Sequence, residues 1–241
     1  MRLIVTRPQE DADALKTRLE ALGHKVILSP LLEILPLADA VIRDAPYQLI
    51  ALTSANGMRA LARHPALPQL RSRPVLAVGP QSAQAARSAG FSDVTMAGSD
   101  AIGLAEYIAK TGDPRKGPVL YLSGRDSAGN FAARLEARGF TVARVIAYEA
   151  RAASQLSAEV HSGADGVLLF SPRTARIWVE LIACSGLEAA ARRMIHICIS
   201  KNAGAALPET YPRRIAAQAT EAAMLDVIAS LGNRPLTSPQ K

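Results

Sequence analysis

Two stretches of the chain decide the fold: Leu3–Arg7, which reads LIVTR, and Leu120–Arg125, which reads LYLSGR. Each is a short apolar run followed by polar residues, as expected for a buried strand that ends in a loop. Each leads into a helical pattern that contains the tetrapeptide Arg-Leu-Glu-Ala, at residues 18–21 and 134–137. The chain therefore contains a strand–loop–helix unit that occurs twice.

The two copies also agree further along the chain. The run Leu49–Ser54 corresponds to Gly166–Ser171, and Leu76–Gly79 corresponds to Ile197–Ser200, with a nearly constant offset. Apolar runs that alternate with helical patterns are typical of parallel sheets covered by helices on both faces. The sequence therefore predicts an internal duplication that gives two similar α/β/α domains with parallel sheets.

Composition excludes several classes of protein. Of the 241 residues, 49% are hydrophobic and 20% are charged, as in globular rather than disordered proteins. No apolar stretch approaches the roughly 18 residues of a membrane span, and the start, Met1–Pro8, is too short for a signal peptide. Cys184 and Cys198 lack metal-site spacing, so we expect two reduced, buried thiols and a cytoplasmic location.

The charge balance leaves the partner open. The chain has 28 Lys and Arg against 21 Asp and Glu, a net charge of +7, which favours anionic partners. Nucleic acid, an anionic small molecule and simple solubility all fit this charge. Basic residues are not interleaved with aromatic ones, so no nucleic-acid partner is expected. The pairs Arg192-Arg193 and Arg213-Arg214 are predicted to be solvated helix and loop charges.

The loops after the predicted strands form the candidate binding region, because ligands of open parallel sheets bind beyond the carboxyl ends of the strands. These loops are rich in hydroxyls, small residues and cations, which suit an anionic ligand. The alternative is that their Ser, Thr and Asn residues only cap helices. The matched character of the loops in both copies favours binding, and two such sets facing each other would form a cleft for a polyanion.

Several known signatures are absent from the chain. It has no GxxxxGK[ST] or GxGxxG loop and no HExxH or GxSxG motif. The four histidines are scattered, and His196 lies in an apolar run, where a hydrogen-bonded core position is predicted. Neither a nucleotide cofactor nor a metal is expected. Tyr148 ends an apolar run, where a tyrosine can pack and still offer its hydroxyl.

Six short blocks, in their order and spacing, resemble the uroporphyrinogen-III synthase family over nearly the whole chain. They are Val5–Pro8, Leu52–Gly57, Ala77–Gly79 with Ser82, Leu122–Arg125, Ala147–Glu149 and Phe170–Pro172. The resemblance implies a lyase (a cyclising hydro-lyase) of porphyrin and tetrapyrrole biosynthesis, the route to haem, chlorophyll and cobalamin. Such an enzyme closes linear hydroxymethylbilane to uroporphyrinogen III, inverts ring D and releases water without a cofactor or metal.

The resemblance also implies the site residues. Tyr148 matches the family tyrosine that is thought to help the terminal hydroxyl leave. The substrate carries eight carboxylates, so contacts from basic and hydroxyl-bearing loops are expected. The predicted substrate-binding residues are Thr6, Arg7, Ser54, Ala55, Gly79, Ser82, Ser123, Gly124, Arg125, Ser171, Arg173, Lys201 and Asn202. Many family members have a Gly-Pro-Thr-like turn where this chain has Ser200–Ala203, which adds a cation.

The resemblance changes the predicted domain boundaries. The repeat alone suggests two contiguous domains, whereas the family chain crosses from one domain to the other and returns. The implied arrangement is a discontinuous first domain, 1–33 with 151–232, and a second domain, 38–146. The domains would be joined by a two-segment β-ladder hinge at 34–37 and 147–150. Residues 233–241 are predicted to be a flexible tail.

Other functions remain alternatives at this point. A non-catalytic two-domain clamp for a polyanionic small molecule fits the same loops. A nucleic-acid-binding protein fits the charge and predicts an affinity that falls steeply with salt. For the family function we expect a monomer, no membrane partner, and a transient hand-over of the bilane from hydroxymethylbilane synthase.

Overall fold

The computed structural model describes residues 1–98, 100–126 and 130–232. The chain forms two compact units: the first unit is Met1–Glu33 with the chain from Arg151 onward, and the second unit is Ile34–Ala150. The predicted tail, residues 233–241, lies outside the described residues.

The strands are short, as expected for buried parallel sheets. In chain order they are β1 (Arg2–Val5), β2 (Lys25–Leu28), β3 (Leu32–Pro36), β4 (Leu49–Leu52), β5 (Val75–Ala77), β6 (Val94–Met96), β7 (Val119–Gly124), β8 (Val142–Ala152), β9 (Gly166–Leu169), β10 (Ile195–Cys198) and β11 (Arg213–Ile215).

Helices follow most of the strands. In chain order they are α1 (Gln9–Ala21), α2 (Ala55–Leu61), α3 (Leu67–Leu70), α4 (Gly79–Ser88), α5 (Ala101–Thr111), α6 (Phe131–Glu136), α7 (Pro172–Cys184), α8 (Glu188–Ala191), α9 (Lys201–Ala205) and α10 (Glu221–Gly232). No helix among the described residues is long and apolar enough to cross a membrane.

The first unit contains a five-stranded sheet in the order β11-β10-β9-β1-β2. All neighbouring strands are parallel. Strand β1 turns Ile4 toward one apolar cluster and its neighbours Leu3 and Val5 toward another, so both faces of the sheet are covered. The loops after β1, β9 and β10 therefore follow strands that end at the same edge.

The second unit contains a six-stranded sheet in the order β3-β8-β7-β4-β5-β6. The neighbours from β8 to β6 are parallel, which confirms the predicted α/β class with parallel sheets. Strands β3 and β8 each run across a boundary between the two units, and they are neighbours in this sheet. The internal duplication and the hinge role of these strands stay predictions.

Two predictions about single side chains are wrong. Cys198 is buried as expected, but Cys184 is exposed. The buried face of α7 includes Trp178, Leu181 and Ile182, and Cys184, the last helical residue, falls outside that face. Arg213 is not a solvated loop charge: it lies in β11, and its guanidinium donates to the backbone carbonyls of Gly204, Leu207 and Pro208 at the end of α9.

A buried aromatic group confirms the prediction of a core position for His196. The indole N–H of Trp178 donates to His196 Nε2 at 3.1 Å, and His196 Nδ1 lies 3.0 Å from the carbonyl oxygen of Pro212. The imidazole stacks on Tyr211 with ring centroids 4.9 Å apart. Burial lowers the pKa of His196 to about 4. The histidine is therefore neutral in the folded protein at pH 7.

This pKa predicts a pH-dependent stability. Because the unfolded histidine titrates near its ordinary pKa, the unfolded chain binds an extra proton between about pH 6.5 and pH 4. The stabilisation is complete above pH 6.5 and is lost as the pH falls toward 4, by about 2 to 3 kcal/mol. Urea unfolding at pH 7.5 and 4.5 measures the loss. We expect a smaller loss in His196→Gln and an unchanged loss in the exposed-site control His161→Gln; equal losses in all three proteins would contradict the assignment.

Candidate functional site

Tyr148 is held at the carboxyl end of β7 by a close contact with a glycine. It pairs with Gly124 across the β7–β8 ladder, where the register shifts between Ser123 and Gly124. A Cβ atom added to Gly124 would lie 2.9 Å from Cε2 and Cζ of the Tyr148 ring and 3.1 Å from its hydroxyl oxygen. A side chain at position 124 would therefore displace the Tyr148 ring from this position.

The environment of Tyr148 keeps its phenol protonated. Burial raises the pKa of Tyr148 above its usual range, and a hydrogen bond with the Ser54 side chain opposes part of that increase. The backbone N–H of Arg125 also donates to the carbonyl oxygen of Tyr148 at 2.9 Å, which fixes the strand at this point. At neutral pH Tyr148 is thus a fixed phenol with a proton to donate.

Ser54 caps a helix and also affects the pKa of Tyr148. It is the N-cap of α2, and its Oγ accepts the backbone N–H of Asn56 at 3.3 Å. The remaining hydroxyl proton can be donated to the Tyr148 oxygen, which favours the ionised phenol and explains the direction of its effect on the pKa of Tyr148. The serine that caps the helix is therefore also the residue that lowers the pKa of the phenol.

The other predicted residues of the second unit have varied surroundings. Ser123 is buried, and its Oγ accepts Arg144 Nε at 3.0 Å. The exposed guanidinium of Arg125 pairs with Glu149 at 3.2 Å. Ala55 and Ser82 are buried within α2 and α4, and Gly79, the first residue of α4, has a φ of 73° that favours glycine.

In the first unit, Arg7 is the centre of a charged cluster. Its Nη1 lies 2.5 Å from Oε2 of Glu221, the first residue of α10, and Arg18 contacts the other oxygen of the same carboxylate. The Arg7 guanidinium also lies over the Phe170 ring, 4.7 Å from its centroid. Two arginines share one carboxylate, so the cluster keeps a net positive charge.

The remaining residues of the first unit have mainly local partners. Thr6 is buried, and its hydroxyl donates to the carbonyl oxygen of Leu168 at 2.6 Å. Ser171 forms a capping box with Thr174 at the start of α7, where Arg173 is half-buried. Lys201 and Asn202 are exposed in the first turn of α9.

The structure thus brings together only part of the predicted set. Ser54, Gly124 and Arg125 meet at Tyr148, whereas the side chains of Thr6 and Ser123 are buried and used internally. The acidic partners of the arginines were not predicted, because Glu221 is 214 residues from Arg7 in sequence. A role for Tyr121 was not predicted either, although its hydroxyl lies 3.2 Å from Thr53 Oγ1. The sequence feature that could have indicated it is a tyrosine inside an otherwise apolar strand.

The side chains that could ligate a metal ion are dispersed. Over residues 1–98, 100–126 and 130–232, no three His, Cys, Asp or Glu side chains are arranged to hold a metal ion. The chemistry that the described residues offer near Tyr148 is hydrogen bonding and proton donation.

Comparison with known proteins gives one family match and several similar folds. The family model of uroporphyrinogen-III synthase HemD matches residues 13–226. The solved uroporphyrinogen-III synthetase from Helicobacter pylori is 19% identical with a TM-score of 0.65, over 96% of this chain and 100% of that one. A mutant uroporphyrinogen III synthase from Thermus thermophilus is 15% identical with a TM-score of 0.50, over 97% and 100%. No curated protein sequence matches.

Proposed function

This chain belongs to the uroporphyrinogen-III synthase family and has its cyclising synthase function in tetrapyrrole biosynthesis; we propose that it acts as a cofactor-independent hydro-lyase in the cytoplasm. The proposed reaction converts hydroxymethylbilane to uroporphyrinogen III with inversion of ring D and loss of water. The observation that supports the proposed mechanism is the position of the Tyr148 phenol at the end of β7, directly against Gly124.

In the proposed mechanism, Tyr148 assists the departure of the terminal hydroxyl. Its phenol donates a proton as the C–O bond breaks, so water leaves and a cationic azafulvene remains. The substituted carbon of ring D then attacks to give a spiro intermediate, which fragments and closes in the inverted orientation. The proton released when the last pyrrole regains aromaticity restores the phenol, so the enzyme is unchanged after one turnover.

Arg7 and Arg125 are proposed to bind carboxylates of the substrate. Each already pairs with one glutamate, but a guanidinium has five N–H donors and can hold a second carboxylate. The positive charge that remains on the Arg7, Arg18 and Glu221 cluster supports this role. Holding the bilane in one conformation contributes to the rate and to the inverted outcome, because unguided closure gives the uninverted ring.

Substitution of these arginines tests the proposal. In Arg7→Gln and in Arg125→Gln we expect KM for hydroxymethylbilane to rise about tenfold, since a charge-assisted hydrogen bond contributes about 1.5 to 3 kcal/mol and exposure weakens it. The change in kcat is expected to be small. Arg138→Gln is the matched control, because it removes one exposed positive charge on the turn that precedes β8. A rise in KM of the same size in Arg138→Gln would show a general charge effect and refute specific binding.

We further propose that the protein works as a monomer and receives its substrate by transient hand-over from hydroxymethylbilane synthase. The support is chemical: free hydroxymethylbilane closes by itself to the uninverted isomer, so a short transfer time protects the product composition.

A further inference from the structure

Two tyrosines from adjacent strands reach the same two-residue turn. The turn is Thr53-Ser54, which follows β4 and precedes α2. Tyr121, in β7, has its hydroxyl oxygen 3.2 Å from Thr53 Oγ1. Ser54 lies two residues beyond Leu52, which pairs with Leu122, and Gly124, two residues beyond Leu122, pairs with Tyr148 in β8. The two consecutive hydroxyl residues of the turn therefore lie beside two different tyrosines.

The packing of Tyr121 accounts for its ring but not for its hydroxyl. The ring lies 4.4 Å from Phe131 between centroids, and the residue is 5% exposed within an apolar cluster on one face of the sheet. Tyr148 packs against the apolar cluster on the opposite face. Phenylalanine would fill the same apolar space as Tyr121, so the role of the hydroxyl is the bond to Thr53 at the end of the sheet.

The geometry points to Tyr121 as a positioning residue for Tyr148: by holding Thr53, it fixes the turn from which Ser54 contacts the reactive phenol. Ser54 caps α2 and, by the register of the strands, lies beside Gly124, the residue that pairs with Tyr148. A small rotation of the turn moves Ser54 relative to the phenol, and misplacement of a catalytic group by about 1 Å can lower a rate by a large factor. This inference rests on the proposed role of Tyr148.

Tyr121→Phe tests the inference because it keeps the ring and removes only the hydroxyl. We expect kcat to fall about fivefold to tenfold while KM changes less than about twofold, as a partial loss of general-acid efficiency. Thr53→Val breaks the same hydrogen bond from the other side and should give a similar fall, whereas Thr53→Ser keeps the hydroxyl and should restore most of the rate.

Tyr47→Phe is the matched control. Tyr47 is buried in the same unit, and its hydroxyl donates to the carbonyl oxygen of Arg43 at 2.9 Å. The control therefore also loses one buried hydrogen bond, but away from the Thr53-Ser54 turn. If the effect of Tyr121→Phe were purely structural, Tyr121→Phe and Tyr47→Phe would both change Tm, and the folded fractions of the two variants would have the same kcat.

A spectroscopic measurement separates this inference from the proposed function. With tyrosine labelled by ¹³C at Cζ, the resonance of Tyr148 reports its hydrogen bonding whether or not the residue takes part in catalysis. We expect this resonance to shift in Tyr121→Phe and in Thr53→Val and to stay in place in Tyr47→Phe. An unmoved Tyr148 resonance in Tyr121→Phe overturns the inference. Full activity of Tyr148→Phe would instead overturn the proposed role of Tyr148.

Discussion

Tyr148→Phe is expected to lower kcat for hydroxymethylbilane consumption by about a hundredfold or more, because a positioned general acid contributes about 10² to 10⁴ to a rate. The substitution removes the proton donor but keeps the ring that lies against Gly124. KM should change little, since the proposed carboxylate contacts are made by Arg7 and Arg125. Stopped consumption assays with the bilane generated in situ measure both constants.

Two further variants make this prediction specific. Gly124→Ala keeps the phenol but pushes it away, because the new methyl group would lie within 3.1 Å of ring atoms and hydroxyl, so kcat should also fall. Tyr107→Phe removes the hydroxyl of a partly exposed tyrosine in α5 and should leave kcat unchanged. Unchanged turnover in Tyr148→Phe, with correct folding, would remove Tyr148 from the mechanism.

Trp178→Ala is expected to destabilise the protein by about 3 to 5 kcal/mol, the usual cost of replacing a large buried aromatic side chain by alanine. Trp178 is fully buried in the apolar cluster of the first unit. Its indole N–H is also a hydrogen-bond partner of His196, which lies edge-on to it with ring centroids 6.2 Å apart. The substitution therefore leaves a cavity and takes one hydrogen-bond partner from a buried imidazole.

Equilibrium urea unfolding at pH 7.5, followed by circular dichroism, measures this loss. Trp178→Phe is the comparison, because it keeps much of the aromatic volume and removes the N–H; its loss should be clearly smaller than that of the alanine variant. A loss below about 1 kcal/mol in Trp178→Ala would contradict the packing described for this core.

The sheets could be predicted from sequence because buried parallel strands are nearly continuous apolar runs. Strands such as β1 and β4 consist of such runs and follow the prediction closely. Strands β6 and β11 were not predicted, because they are short edge strands with exposed residues and so lack the buried apolar run that marks β5. Strand β11 also contains two arginines, and such a composition is typical of a loop. The backbone carbonyls that accept hydrogen bonds from Arg213 are visible only in the structure.

Tyr148, Ser54 and Gly124 were predicted because they lie in short blocks whose order is recognisable along the chain. Their contacts could not be predicted, because the pairing of Tyr148 with Gly124 and the hydrogen bond between Tyr121 and Thr53 depend on how β4, β7 and β8 are aligned in the sheet. Sequence spacing alone does not give that alignment. For the same reason the ion pairs of Arg7 and Arg125 could not be predicted.

The most direct test of the synthase assignment is the isomer composition of the product. Hydroxymethylbilane is generated in situ, the protein is added, the product is oxidised, and the uroporphyrin isomers are separated by chromatography. We expect mostly isomer III, in an amount that rises with enzyme concentration and is unchanged by a metal chelator. Isomer I alone, from folded protein, would contradict the assignment and favour a non-catalytic protein that binds polyanions.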